Sequence, residues 1–475
     1  MISLTAILLA ASGLVVTPDR PNVVVLLVDD LGWTDLGCYD SAFYETPHID
    51  GLAAGGMRFT QAYAAAPVCS PTRAALMTGK APARLDTTDY FGAPQPADFR
   101  SGRGRWSQTP LIGAPYVDAL PKAEVTLPEA LGEAGYRTGF FGKWHLGDEG
   151  FWPTDQGFAV NVAGCRWGHP NKGYFAPYGN PNLEDGPEGE YLTDRLAEEA
   201  VTFIEQTEEK QPFLLYLAFY TVHTPLQAPE DRVATFREKK QRLGLSAEWG
   251  EEPPRKVRRN QEHAVYAAMV ASLDRAVGRV LDALEASGRA EDTIVILTSD
   301  NGGLSTSEGH PTANVPLRAG KGWLYEGGLR VPLIVRWPGH VRPGSVSSVP
   351  VISQDLYPTL LEATGLDAKP EQHLDGESLA SVLKEEAPLS RDTLYWHYPH
   401  YGNQGGTPGS AIRVGPYKLI ELFEDGRLEL YDLVQDLGER ENLAELQPER
   451  VQAMKQKLDA WKKQVDAKPT SRRTE

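Results

Sequence analysis

The stretch Asn22-Val23-Val24-Val25-Leu26-Leu27-Val28-Asp29-Asp30-Leu31-Gly32 is an unbroken apolar run that stops at two adjacent carboxylates. A strand with one wet face alternates polar and apolar residues. This one does not, so both its faces are covered, as in a parallel sheet flanked by helices. Thr293–Thr298 repeats the pattern and stops at Ser299-Asp300-Asn301-Gly302-Gly303, and Phe213–Tyr220 stops near His223. Between Tyr220 and Thr293, apolar residues from Val265 to Leu284 recur at helical spacing and predict a helix over 263–286. Strands alternating with helices predict an α/β fold with a large, mostly parallel central sheet. In such folds, sites gather beyond the C-terminal ends of the strands. Asp29, Asp30, His223, Asp300 and Asn301 fall there.

Beyond about residue 375 the texture changes. Leu394–Tyr398, Ala411–Val414, Tyr417–Leu422 and Arg427–Asp432 read as short strands joined by Gly and Pro turns, and 448–465 reads as an amphipathic helix. The expected organisation is a main domain over 17–375, a smaller C-terminal subdomain of antiparallel sheet plus helix over 376–467, and a frayed polar tail over 468–475. Residues 1–16 are apolar or small and carry no charged side chain. They read as a secretory signal peptide, although no Lys or Arg precedes the apolar stretch; a buried N-terminal strand is the alternative. No later segment reaches the ~20 apolar residues that span a bilayer. The chain is therefore expected to be exported, periplasmic or extracellular, without a membrane span.

The 475 residues, 41% hydrophobic and 23% charged, suit one large domain plus a smaller one. With 47 basic and 64 acidic residues the formal net charge is −17, which argues against a nucleic-acid partner. Any anionic ligand must then be met by local positive charge. Three cysteines, Cys38, Cys69 and Cys165, are too few for a disulfide scaffold, and whether Cys38 pairs with Cys165 stays open.

Asp29-Asp30 and Asp300-Asn301 are two oxygen-donor pairs, each closing an expected strand. Alone, either is a turn or a helix cap; together they favour a hard divalent cation, and Ca2+ tolerates irregular geometry better than Mg2+. In Gly142-Lys143-Trp144-His145 a cation and an imidazole sit two residues apart, on the same side if the backbone is extended. His223 and Lys321 (in Arg318-Ala319-Gly320-Lys321-Gly322) read equally well as ordinary loop residues on their own. Cys69-Ser70-Pro71-Thr72-Arg73 differs. Cys69 stands at the expected start of a helix, where backbone N–H groups favour an anion, with Arg73 one turn further in.

At these residues the chain closely resembles the type I, formylglycine-dependent sulfatases of the alkaline phosphatase-like superfamily, of the arylsulfatase A kind. Their maturation signature, Cys-x-Pro-x-Arg followed by Thr-Gly, is matched by Cys69, Pro71, Arg73 and Thr78-Gly79. The resemblance also takes in Asp29–Gly32, Thr46–Asp50, Gly142–His145, Ser299–Gly302, Gly320–Gly322, Glu326–Pro332 and Leu430–Leu433, in the family's order. It implies that Cys69 is converted to Cα-formylglycine (3-oxoalanine) by a formylglycine-generating maturase, and that a hydroxyl of its hydrate attacks sulfur. It implies one Ca2+ per chain, bound by Asp29, Asp30, Asp300, Asn301 and the modified Cys69. Arg73 and His145 would hold and activate the hydrate. Lys143, His223 and Lys321 would contact the sulfate oxygens, with His223 a candidate general acid.

The segments 86–118 and 164–192 are expected to form the outer pocket, with Arg166, His169 and, further on, His310 as candidate substrate contacts. A sulfated carbohydrate is the favoured substrate. Two alternatives stay open: a phosphonate or phosphate monoester hydrolase on the same scaffold, and a non-catalytic glycan-binding protein.

Overall fold

A computed structural model of the chain describes residues 20–101, 106 and 108–473; the expected signal peptide, 1–16, lies outside the described residues. Nine strands form the main sheet: β1 (Asn22–Val28), β2 (Met57–Tyr63), β3 (Arg137–Gly142), β4 (Val160–Val162), β5 (Phe213–Ala218), β6 (Thr293–Ser299), β7 (Arg330–Arg336), β8 (Ser345–Ser347) and β9 (Val351–Ile352). Their order is β8-β2-β7-β6-β1-β5-β3-β4, with β9 also pairing β2. β1 runs parallel to both β5 and β6, and β3 parallel to β5 and β4. β7 is antiparallel to β6 and β2, so the sheet is mixed at one side.

Every residue of β1 is buried. Val24, Leu26 and Val28 join a core with Leu196, Met269, Leu273 and Val277 from the helices Leu192–Glu205 and Ala264–Ala286. Val23, Val25 and Leu27 point the other way, into a second core with Leu76, Leu131 and Leu360 from the helices Cys69–Thr78, Leu127–Glu133 and Leu356–Ala363. Side chains alternate across a strand, and helices cover both faces here, which is why β1 shows no polar alternation. The parallel alignment brings the C-terminal ends of β1, β3, β5 and β6 to one edge.

The C-terminal strands β10 (Thr393–Tyr398), β11 (Gly409–Val414), β12 (Tyr417–Leu422) and β13 (Leu428–Asp432) form an antiparallel sheet in chain order. Met454, Leu458 and Trp461 of the helix Pro448–Gln464 cover one face of it. The other face packs on the main domain through Trp396 and Ile420 against Leu324 and Tyr325. Lys418, fully buried, bridges Glu326 and Glu439, each at 3.0 Å, and locks the two parts together. The Glu326-Gly327-Gly328 run therefore joins subdomains, and a Cβ on Gly302 would collide with the Gly327 carbonyl there.

Two sequence expectations are resolved. The tail over 468–475 is not frayed where it is described. Ser471–Arg472 pair with Leu111–Ile112, and Arg473 donates to the carbonyls of Phe99 (2.9 Å), Thr109 (3.1 Å) and Trp106 (3.1 Å). These hydrogen bonds to distant loop carbonyls hold a segment that looks featureless by composition. Cys38, Cys69 and Cys165 are all free thiols.

Candidate active site

β1 ends and the chain turns at once. Asp29 keeps extended pairing, its N–H donating to the Thr221 carbonyl at 3.0 Å. Asp30 then adopts φ +62°, and its N–H donates to Asp300 Oδ1 at 3.2 Å. On the neighbouring strand end, Ser299 Oγ accepts from the Leu31 N–H (3.0 Å) and donates to the Asn301 carbonyl (2.9 Å). Asn301 Nδ2 donates to Asp30 Oδ1 at 2.7 Å. The two expected donor pairs thus form one buried cluster.

Cys69 is the first residue of a ten-residue helix that is buried throughout. Pro71 is tolerated because the first turn has no intrahelical partner for its N–H. Val68, which precedes the helix, has no side-chain oxygen to cap it; instead Thr72 Oγ1 accepts from the Ala66 N–H (3.0 Å) and donates to the Ala66 carbonyl (3.2 Å). Arg73 lies one turn past Cys69, on the same helix face. Its Nε donates to Asp300 Oδ2 at 2.8 Å, Nη2 lies 2.7 Å from the same oxygen, and Nη1 donates to the Lys143 carbonyl at 2.6 Å.

Three cations meet three carboxylates. Lys143 Nζ reaches Asp29 Oδ2 (2.7 Å), Lys321 Nζ reaches Asp30 Oδ1 (2.8 Å), and Arg73 holds Asp300. His223 Nε2 lies 3.6 Å from Asp30 Oδ2, while its Nδ1 faces the Thr224 carbonyl at 2.9 Å. That contact makes Nδ1 the N–H of the neutral ring. In His145, Nε2 faces the Phe91 carbonyl at 3.1 Å and must donate, so the buried, unpartnered Nδ1 is an acceptor. His145 also carries φ +55°.

Burial, only partly opposed by Lys143, lifts the Asp29 carboxyl well above the usual range. Burial acts the same way on Asp30, but the charges of Lys321 and Lys143 override it and hold that carboxyl low, while burial and Lys321 push the His223 imidazole down to about 3. Burial pushes the Cys69 thiol up to about 11. It also drives His145 well below an ordinary imidazole, with Lys143 adding to the effect.

The arrangement fits a hard cation. Ligand atoms of Asp29, Cys69 and Asp300 lie within 4.8 Å of one another, as do those of Asp29, Asp30 and His223. Asp29 Oδ1 and Asn301 Oδ1 are buried with no hydrogen-bond partner, two acceptors that a Ca2+ would satisfy.

Above the cluster opens a cavity of about 510 Å3, floored by Cys69, His145, His223 and Lys321. Of the expected substrate contacts, Arg166 and His169 line it, Arg166 paired with Asp148 at 3.0 Å and His169 stacked on His223. His310 is not among the lining residues; its ring meets the edge of Trp249, centroids 5.3 Å apart. The cavity also brings in Tyr90, Phe91, Glu308, Asn403 and Gln404, which the sequence reading did not single out. The only local hint was the glycine-rich run Gly402-Asn403-Gln404-Gly405-Gly406.

A family model described as sulfatase matches residues 21–366, and one described as N-sulphoglucosamine sulphohydrolase, C-terminal, matches 319–465. A protein named sulfatase from Formosa agariphila is 35% identical over 93% of this chain and 88% of its own. The rat protein named N-acetylgalactosamine-6-sulfatase is 34% identical over 87% of this chain and 73% of its own. The crystal structure of Ps i-CgsB in complex with k-i-k-neocarrahexaose is 30% identical with a TM-score of 0.74, covering 93% of this chain and 92% of that one. With the match spanning the strand ends, the Cys69 helix and the Lys321 loop, the chain belongs to the sulfatase family and is a sulfuric ester hydrolase.

Proposed function

We propose that this protein hydrolyses sulfate monoesters of a carbohydrate, with the nucleophile provided by a formylglycine hydrate made from Cys69. The observation that carries this is Cys69 itself. It is buried at a helix start in the cavity floor, with ligand atoms of Asp29 and Asp300 within 4.8 Å of its Sγ and Arg73 one turn further along the same helix. Burial pushes its thiol up, the opposite of what a thiolate nucleophile needs. The whole Cys69–Arg73 motif is buried, so a formylglycine-generating maturase would have to act before the chain closes over it. A Ca2+ held by Asp29, Asp30, Asp300, Asn301 and the modified residue 69 would supply a Lewis acid beside the nucleophile.

The protein's own groups then divide the work. Arg73 orients Asp300 and the carbonyl before Trp144. His145 Nδ1, an acceptor without a partner, takes the proton from the attacking hydroxyl. Lys143 and Lys321 hold the sulfate oxygens, where the charge of the transition state spreads. His223 lines the cavity with Nε2 3.6 Å from Asp30 Oδ2, so Asp30 stabilises the ring when it carries a proton to the leaving oxygen. Asp29, Asp30 and Asp300 lie against Lys143, Lys321 and Arg73, and a divalent cation held there would add the positive charge that an anionic ester needs.

A carbohydrate substrate is supported by the name of the rat relative, by the saccharide in the related crystal structure, and by a cavity of sugar size. Arg166, His169 and His310 would be its contacts, and residues 1–16 would export the protein. The test compares kcat/KM for 4-nitrophenyl sulfate, phosphate and phosphonate, using protein co-produced with a maturase and checked for the aldehyde by peptide mass spectrometry. Sulfate turnover should dominate. Dominant phosphate or phosphonate turnover would overturn the reading, and a panel of sulfated saccharides tests the substrate class.

A further inference from the structure

The cationic floor of the cavity accounts for sulfate, yet one wall of the same cavity carries a carboxylate. Glu308 lines it, and its Oε1 accepts from Asn403 Nδ2 (2.9 Å) and Gln404 Nε2 (2.8 Å). Among the described residues no ion pair neutralises it. Gln404 is 4% exposed and its amide oxygen is buried without a partner, a second acceptor in the same wall. The backbone there is held against preference at two non-glycine residues, Glu308 (φ +53°) and His310 (φ +49°), on either side of Gly309 (φ +88°). Left-handed non-glycine residues cluster at ligand clamps, where the surrounding structure sustains them.

Both loops are braced from outside. The hairpin Trp249–Glu252/Arg255–Arg258 reaches one through Arg255 Nη2, which donates to the Asn403 carbonyl at 2.7 Å. It reaches the other through the Arg258 N–H on the Ser305 carbonyl at 2.9 Å, and Arg258 Nε also donates to the His310 carbonyl. An unneutralised carboxylate in an anion-binding cavity weakens the grip on every anion. Its charge reaches His223 and Lys321 in the floor, and towards the substrate it can act on the part that is not the sulfate.

We propose that Glu308, held by Asn403 and Gln404, selects the leaving alcohol. Its carboxylate accepts a hydrogen bond from a hydroxyl next to the scissile ester and repels a second sulfate or carboxylate at that position. The substrate class is then sulfate esters with a free neighbouring hydroxyl, as in sparsely sulfated glycans, rather than densely sulfated ones. This rests on the sulfatase reading above.

The probes, used at about pH 5.5 where the nitrophenol keeps its proton, are 4-nitrocatechol monosulfate, with a hydroxyl beside the ester, and 4-nitrocatechol disulfate. The full-length aldehyde-bearing protein and its Glu308→Gln variant are compared by kcat/KM for sulfate release. The parent should favour the monosulfate by about 10- to 100-fold, the scale of like charges about 6–12 Å apart at an effective dielectric near 20. Glu308→Gln should shrink that ratio by about tenfold, because glutamine keeps the size of the side chain but loses the charge and one acceptor oxygen. The change in that ratio between parent and variant cancels the difference in leaving-group chemistry and any general loss of active protein. An unchanged ratio would overturn the proposal while leaving the sulfatase reading standing. No sulfate release from either ester or from 4-nitrophenyl sulfate would overturn that reading, and the proposal with it.

Discussion

Replacing Arg73 by methionine (Arg73→Met) tests the claim that the site is a balanced set of buried charges. Methionine approximates the volume and removes the charge. Asp300, fully buried, would then lose the one cation that pairs with it among the described residues, at 2.7–2.8 Å, and the Lys143 carbonyl would lose its 2.6 Å donor. Removing one partner of a buried ion pair costs about 3–5 kcal/mol, and a lost buried hydrogen bond adds about 1 kcal/mol. Unfolding entropy runs near 2.1 cal/mol/K per residue. For 475 residues that is about 1 kcal/mol per degree, so the unfolding midpoint should fall by about 4–6 °C. The assay is scanning calorimetry in EDTA and again in millimolar Ca2+. If Asp300 is a ligand, the ion partly replaces the missing guanidinium and the loss shrinks. A fall under about 1 °C in EDTA would refute the charge argument, and equal falls in both buffers would remove Asp300 from the metal site.

Three further outcomes follow from named groups. Lys321→Ala should lower kcat/KM for 4-nitrophenyl sulfate by about 10²–10³, read by nitrophenol release; a loss below tenfold would take Lys321 off the sulfate. In protein whose Cys69 remains a thiol, iodoacetamide at pH 8 should label that residue at least ~100-fold more slowly than in urea, since burial suppresses the thiolate. Peptide mass spectrometry reads this, and comparable rates would mean that the helix start is open. Asp89 is buried beside His400 (3.4 Å), and burial pushes its carboxyl up to about 8. Unfolded, it titrates near 3.9, so the folded state holds a proton that the unfolded state loses. Its contribution is intact below about pH 4 and is lost as pH rises towards 8. Asp89→Asn should therefore gain on the parent between pH 5 and pH 8 in urea midpoint, and a gap that does not vary with pH would contradict the raised carboxyl.

What could be read from the sequence follows a physical line. β1 and β6 announced themselves because both faces are buried and each ends on a donor pair. β7 did not, since Pro332 interrupts its apolar run; the structure absorbs that proline where the pairing with β2 shifts register between Val331 and Leu333. Arg73 was legible because one helical turn fixes its face relative to Cys69. Glu308 and Gln404 were not, because they meet across 96 residues between two loops without periodicity. Only tertiary packing, the C-terminal sheet seated on the main domain, creates that wall. The contact of Arg473 with three loop carbonyls was invisible for the same reason.

The backbone at Asp30 shows why the strand end must be strained for the site to exist. Adjacent residues of a strand point to opposite faces, so an extended Asp29-Asp30 pair would send one carboxylate to each side of the sheet. Asp30 instead takes φ +62°, a conformation that costs an ordinary residue about 1–2 kcal/mol. The turn brings both carboxylates to one side, where ligand atoms of Asp29, Asp30 and His223 gather within 4.8 Å. They then divide their partners, Asp29 taking Lys143 while Asp30 takes Lys321 and Asn301. His145 does the same after β3, its φ of +55° following Gly142 at +103°. The parallel sheet delivers these residues to one edge, but it is the left-handed breaks just past the strands that turn an edge into a cavity floor. Relieving the strain by leaving either residue extended would separate the groups that have to converge on Cys69.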